Sequence, residues 1–223
     1  GCAMLFWMSH KGQSIRIHLR NFTPTKAYAK EIIFGGTPSL SRQGLGSIAT
    51  LVLNVAAGAY GDAAIAGMSI VTRISFFTYA VVIGLGQGFQ PLCGFCYGAK
   101  LYSRVKDAYY FCIKCGTVFL AACAVIGFIF SEQIIELFRD DPHVVAVGSV
   151  ALKWQVISFP LITTIVLTNM LMQTIRKPIR ANIVAAARSG LFFIPLIFIL
   201  PHFFGLLGVE MCQAWADVCS FLV

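Results

Sequence analysis

Ser39-Leu40-Ser41-Arg42-Gln43-Gly44-Leu45-Gly46-Ser47-Ile48-Ala49-Thr50-Leu51-Val52-Leu53-Asn54 decides how this chain is read. It lies inside an apolar run long enough to cross a bilayer, yet it carries an arginine and a line of polar side chains. Ser39, Gln43, Ser47, Thr50 and Asn54 recur at steps of 4, 4, 3 and 4, so an α-helix gathers them on one face. Ile48, Leu51, Val52, Leu53 and Val55 occupy the other faces. A helix starting near Ile32 puts Arg42 roughly 15 Å along its axis, close to the middle of a hydrocarbon core about 30 Å thick. A charge at that depth is costly and faces a bundle interior or a water-filled path. Transport is the first function class that this pattern suggests.

Composition agrees. The 223 residues are 58% hydrophobic and 12% charged, with a mean hydropathy of +0.80, too little polar surface for a soluble domain. Long apolar runs cover residues 32–57, 63–97, 108–130, 144–172 and 183–204. Each meets the requirement of about 20 mostly apolar residues for a transmembrane helix. Residues 1–8 are apolar but too short to cross, and residues 208–223 are apolar with polar punctuation. The expectation is an all-helical integral membrane bundle of five full spans and two truncated ones, part of a longer protein. Residues 1–9 read as a helix tail, 10–31 as a linker and 32–223 as a membrane lobe.

The net charge of +8 is arranged by side. Lys11, Arg16, Arg20, Lys26 and Lys30 precede the first span. Lys100, Arg104 and Lys106 follow the second, and Arg176, Lys177 and Arg180 follow the fourth. The alternate connections hold one basic residue, Arg139. This is the positive-inside pattern, which puts the basic connections in the cytoplasm and argues against a nucleic-acid partner. Thr23-Pro24 reads as a helix start, with Thr23 the N-cap. Ser131–Phe138 reads as a short interfacial helix on the outside, with Glu132 in its first turn.

Three patterns point towards other chemistry and fall short of it. Cys93-x-x-Cys96 and Cys112-x-x-Cys115 have the spacing of a four-cysteine zinc site. They fall in apolar spans, where cysteine behaves as a small hydrophobe, and no metal is expected. Gly84-Leu85-Gly86-Gln87-Gly88 follows no strand and lacks the Lys-Ser/Thr of a phosphate loop. The four histidines stand in connections and form no nucleophile–base pair, so no enzymatic constellation is expected. Gly35, Gly36, Pro38, Gly84, Gly86, Gly88 and Pro91 read as packing sites and kinks, or as bending points of a transport cycle.

The last apolar segment has a second stripe, Glu210, Gln213, Asp217 and Ser220, at steps of 3, 4 and 3. Asp217 is the carboxylate deepest in an apolar segment. A buried carboxylate is either a proton-relay or cation site, or a structural partner for Arg42, Arg73 or Arg188. Arg73, Lys153 and Arg188 could also snorkel from helix ends. The candidate substrate and ion path comprises Arg42, Gln43, Ser47, Asn54, Arg73, Gln87, Asn169 and Asp217. Phe76, Phe77 and Tyr79 could meet apolar parts of a substrate.

Gly36-Thr37-Pro38-Ser39, Arg42-Gln43-Gly44, Asn54, the run from Gly84 to Pro91, Gly94-Phe95-Cys96-Tyr97-Gly98-Ala99-Lys100, Arg104-Val105, Pro195-Leu196-Ile197 and Leu200-Pro201 together resemble the multidrug and toxic compound extrusion (MATE) transporters, bacterial members above all. The resemblance implies twelve helices in two six-helix lobes, of which this chain carries the C-terminal lobe. It further implies export of cationic amphipathic drugs in exchange for H+ or Na+, with no other cofactor, in a bacterial cytoplasmic membrane. The partners it implies are drug-like cations, the lipid bilayer and an N-terminal lobe of the same polypeptide. Two departures stand out: Gly46 and Ser47 occupy the region where some branches carry an acidic residue, and Arg188-Ser189-Gly190 replaces an Arg-Gln-Gly pattern. Rival readings are a lipid-linked sugar flippase of the wider superfamily, which would favour a more basic cleft, and a membrane scaffold or receptor subunit without transport.

Overall fold

A computed structural model describes residues 25–223. The readings placed on Thr23-Pro24, on the helix tail at 1–9 and on most of the linker lie outside the described residues. By its contacts the chain forms two compact units, Gly1–Phe34 and Gly35–Val223. All packing described below lies within the second. Among the described residues the secondary structure is helical: α1 Lys26–Gly58, α2 Asp62–Gly98, α3 Tyr102–Ile129, α4 Ser131–Phe138, α5 Pro142–Thr174, α6 Pro178–Ala186, α7 Phe193–Phe204 and α8 Leu206–Phe221. A π-helical segment, Ala187–Leu191, joins α6 to α7.

Among the described residues, four stretches are long and apolar enough to cross a membrane: Asp62–Gly98, Tyr102–Ile129, Pro142–Thr174 and Pro178–Phe204. The run at 32–57 differs from the other expected spans. It is helical throughout, but Ser39, Arg42, Gln43 and Asn54 hold its hydropathy below theirs. The short α4 occupies Ser131–Phe138, the residues read as an interfacial helix.

α5 is the centre of the bundle. Its apolar residues cover every face, as expected of a helix surrounded by others, and it packs against α2, α3, α4, α6 and α8. The share of its apolar window that is buried is 61%, against 22% for α3. Small residues on the neighbours permit this approach. A Cβ added at Gly116 of α3 would stand 2.6 Å from Thr163 Cγ2, and one at Gly127 would stand 2.9 Å from Val156 Cγ1. Asp141 starts α5: its side chain accepts a hydrogen bond from the His143 N–H at 3.0 Å, and Pro142 takes the first helical position, where its missing N–H costs nothing.

The two basic connections end their helices in the same way. After α2 the Leu101 N–H bonds the Cys96 carbonyl at 2.9 Å and the Lys100 N–H bonds Tyr97 at 3.1 Å. After α5 the Lys177 N–H bonds Met172 at 3.0 Å and the Arg176 N–H bonds Gln173 at 3.2 Å. Both are Schellman closures. Their left-handed positions hold Lys100 (φ 60°) and Arg176 (φ 55°) in place of the usual glycine. At the other end of α7, Gly205 (φ 60°, ψ −134°) makes the sharp turn into α8, a conformation that side chains resist.

Candidate functional site

The span Pro178–Phe204 is broken in the middle. At the π segment the Phe192 N–H reaches back five residues to the Ala187 carbonyl at 3.0 Å. Pro195, with no N–H to give, follows within α7. π-Bulges of this kind gather at functional sites. Here the segment carries Arg188, Ser189 and Gly190, and the bare Gly190 backbone lies against Leu45 of α1.

Arg188 meets Asp217 of α8. The guanidinium Nε donates to Asp217 Oδ1 at 2.6 Å. Gln213 Nε2 donates to the same oxygen at 3.2 Å. Ser158 Oγ and Gln155 Nε2, both on α5, donate to Oδ2 at 2.9 and 3.2 Å. The Ser158 hydroxyl also lies 2.8 Å from the Gln155 carbonyl, and its single proton serves one acceptor at a time. The Asp217 side chain is 0% exposed and that of Arg188 is 16% exposed. A buried charge needs both a counter-charge and hydrogen bonds, and Asp217 has both. On its other side Arg188 lies over Tyr79 of α2, with Cζ 4.8 Å from the ring centre, a cation–π contact.

Beside this pair lies a cavity of about 100 Å³. Its wall comprises Gly46, Ala49, Thr50 and Leu53 of α1, Met68, Val71, Thr72, Ser75 and Tyr79 of α2, Gln155 of α5, Arg188 and Ser189 of the π segment, Phe193 of α7 and Gln213 of α8. Arg188 is the charged residue in that wall; Asp217 stands behind it. Thr50 and Thr72 donate their hydroxyl protons to Gly46 and Met68 one turn back, at 2.9 and 2.8 Å. Ser75 is 5% exposed and its Oγ has no hydrogen-bond partner among the described residues.

The expected path residues are therefore dispersed. Asp217 is at the heart of the site, and its partner among the three candidate arginines is Arg188. Thr50 of the α1 stripe reaches the cavity. Gln43 and Ser47 are exposed, Arg42 and Asn54 are half-buried, and none of these four lines the cavity. Arg42 pairs with no carboxylate among the described residues. Arg73 and Gln87 are exposed on α2, away from the cavity. Asn169 is buried in packing: its Nδ2 donates to the Ala181 carbonyl at 2.7 Å, which ties α5 to α6, and its Oδ1 accepts from Gln173 of α5 at 2.6 Å. Glu210 is buried on α8, and its Oε2 has no hydrogen-bond partner among the described residues. Of the aromatic trio, Tyr79 lines the cavity and Phe76 and Phe77 are exposed. Cys93, Cys96 and Cys112 share an apolar cluster with Phe89, Val105 and Leu167, whereas Cys115 is exposed.

Sequence reasoning passes over Gln155, Ser158, Ser75 and Thr72. A signal exists for two of them, since Gln155 and Ser158 are polar residues three apart, on one helix face, near the middle of a long apolar-rich span.

A multi-pass helical bundle with a buried ion pair at a break in one span defines a membrane protein of transporter architecture. The sequence profile of MatE matches residues 38–199, and the chain belongs to that family. A relative described as "Multidrug export protein MepA" from Staphylococcus haemolyticus (strain JCSC1435) is 30% identical over 223 residues, 100% of this chain and 49% of the relative. The chain thus spans about half the length of the curated relatives it matches. The fold is that of solved MATE transporters. A point mutant of the Vibrio cholerae MATE transporter VcmN superposes with a TM-score of 0.89 at 17% identity, over 99% of this chain and 50% of the other. The outward-facing conformation of a multidrug resistance MATE family transporter gives 0.87 at 22% identity, over 99% and 50%.

Proposed function

We propose that residues 32–223 form the C-terminal lobe of a two-lobe, twelve-helix exporter of drug-like cationic amphipathic molecules, preceded by a linker at 10–31 and the end of another helix at 1–9. It would work by alternating access in a bacterial cytoplasmic membrane, exchanging substrate for H+ or Na+, against an N-terminal lobe of the same polypeptide. The observation that carries this reading is the Arg188–Asp217 pair, buried beside a cavity where a span is broken. Family membership and a match to half of each relative support the two-lobe arrangement.

In this reading the stripe of Gln43, Ser47 and Thr50 belongs to the wall of the cleft between lobes. Asp217 anchors Arg188 and offers no open coordination position to a cation, because both its oxygens are already bonded. The coupling cation then binds at a carboxylate outside this cavity. The test is gradient-driven export of ethidium from proteoliposomes holding the full-length protein. Export that stops when the proton and sodium gradients are both collapsed supports the reading; flux unaffected by either overturns it.

A further inference from the structure

We propose that the cavity beside the π segment is a carboxylate site, in which Arg188 seats the acidic end of an amphipathic ligand and the apolar wall holds its body. The proposal deepens the exporter reading by naming a substrate feature, and rests on it only for the direction of transport.

Three observations on the wall lead to this chemistry. The first is the asymmetry of the ion pair. Asp217 is wholly buried and absent from the cavity wall, whereas Arg188 lines it. A molecule entering therefore meets the cation of the pair and not its anion. With Nε committed to Asp217 and a further bond made to Tyr79, Arg188 keeps its remaining Nη protons for an anion in the cavity that it lines. A cationic group would find no acidic partner there.

The second observation is the accounting of the remaining donors. The amides of Gln155 and Gln213 are turned to Asp217, and the protons of Thr50 and Thr72 go to their own helices. Ser189 and Tyr79 also bring hydroxyls to the wall, and Ser75 differs from them in being buried. It is 5% exposed, lines the cavity and leaves Oγ unpartnered. A buried hydroxyl without a partner costs stability unless water or a ligand satisfies it. A carboxylate between Arg188 and Ser75 would accept from both.

The third is the shape of the space. About 100 Å³ holds several waters or one small organic group. Met68, Val71 and Phe193 add apolar surface to the same wall, beside the Tyr79 ring that lies against Arg188. That mixed lining fits a ring or short chain ending in a carboxylate. A zwitterion, with an amine elsewhere in the molecule, satisfies both this site and the exporter reading.

Asp217 has a positioning role in this scheme: it turns Nε of Arg188 inward and so turns the Nη groups out. The test uses the full-length protein in detergent, with benzoate and benzylamine as matched probes that differ in the sign of their charge. Benzoate should raise the melting temperature in a saturable way and benzylamine should not. Arg188→Gln should weaken benzoate at least about tenfold, the loss of one charge-assisted hydrogen bond. Because a lone Asp217 could unfold that variant, Arg188→Gln/Asp217→Asn, which removes both charges, is measured beside it and should lose benzoate equally. Ser75→Ala should weaken benzoate several-fold and leave the fold intact. Benzylamine binding as tightly as benzoate, or benzoate binding undiminished in the double variant, overturns the proposal. Failure here with gradient-driven ethidium export intact refutes the carboxylate site alone, and benzoate binding without any export refutes the exporter alone.

Discussion

Replacing Asp217 by Asn removes the anion from a site built to receive one. Each carboxylate oxygen accepts from two donors: Oδ1 from Arg188 and Gln213, and Oδ2 from Ser158 and Gln155. An amide can reproduce only one of these oxygens. Its NH2 group sits best at the Oδ2 position, where Ser158 can turn its proton to the Gln155 carbonyl and become an acceptor. Gln155 then faces a donor, and Arg188 is left as a buried cation with a neutral partner. Breaking a buried pair by removing one member costs about 3–5 kcal/mol, a fall in melting temperature of about 6–20 °C at the 2–4 °C per kcal/mol of a chain this size. Arg188→Gln should cost a similar amount. The double variant Arg188→Gln/Asp217→Asn should recover at least about 2 kcal/mol relative to the sum, since neutral replacement of a buried pair is often tolerated. The assay is thermal unfolding of the full-length protein in one detergent, followed by tryptophan fluorescence. If the single variants each melt within about 2 °C of the parent and their effects add in the double, the pair does not hold the bundle together.

Other expectations rest on separate parts of the bundle. Gly116→Ala should destabilise by about 1–3 kcal/mol, because the new methyl meets the stiff Thr163 side chain on α5. Gly44→Ala, where nothing lies within 4 Å, should stabilise by about 0.5–1 kcal/mol; both are read by the same melts. Deleting Gly190 should turn the π segment into α-helix and swing Arg188 by about 100° relative to α7, so the variant should lose benzoate binding while its circular dichroism stays helical. Asn169→Leu should cost about 1 kcal/mol by releasing the bond to Ala181, seen as faster amide exchange in α6. In a background without native cysteines, Arg139→Cys should react with an impermeant maleimide in intact cells, and Arg176→Cys only after permeabilisation.

The fold can be read in the sequence wherever one segment's own pattern suffices. Apolar runs mark the spans, and Glu132 with Ile134, Ile135, Leu137 and Phe138 marks α4 to the residue. Asp141, three residues past the end of α4, is the cap that starts α5. The site is only half legible. Asp217 stands out as an acid within an apolar run, but its partner has to be chosen among Arg42, Arg73 and Arg188. That choice depends on the rotation and register of helices that are distant in sequence, and no local period encodes it. The π segment adds a further turn of phase that composition does not reveal, so residues counted onto one face upstream of it shift relative to those downstream. Depth along the chain is all that sequence offers for the polar residues of α2, and Arg73 and Gln87 turn outward while Ser75 and Tyr79, a few positions away, turn in.

Whether Arg188 seats a carboxylate is decided by benzoate binding to the full-length protein, compared between the parent and Arg188→Gln/Asp217→Asn. Binding to the parent should be saturable and should fall at least about tenfold when both charges are removed. Equal binding by the two proteins would contradict the site.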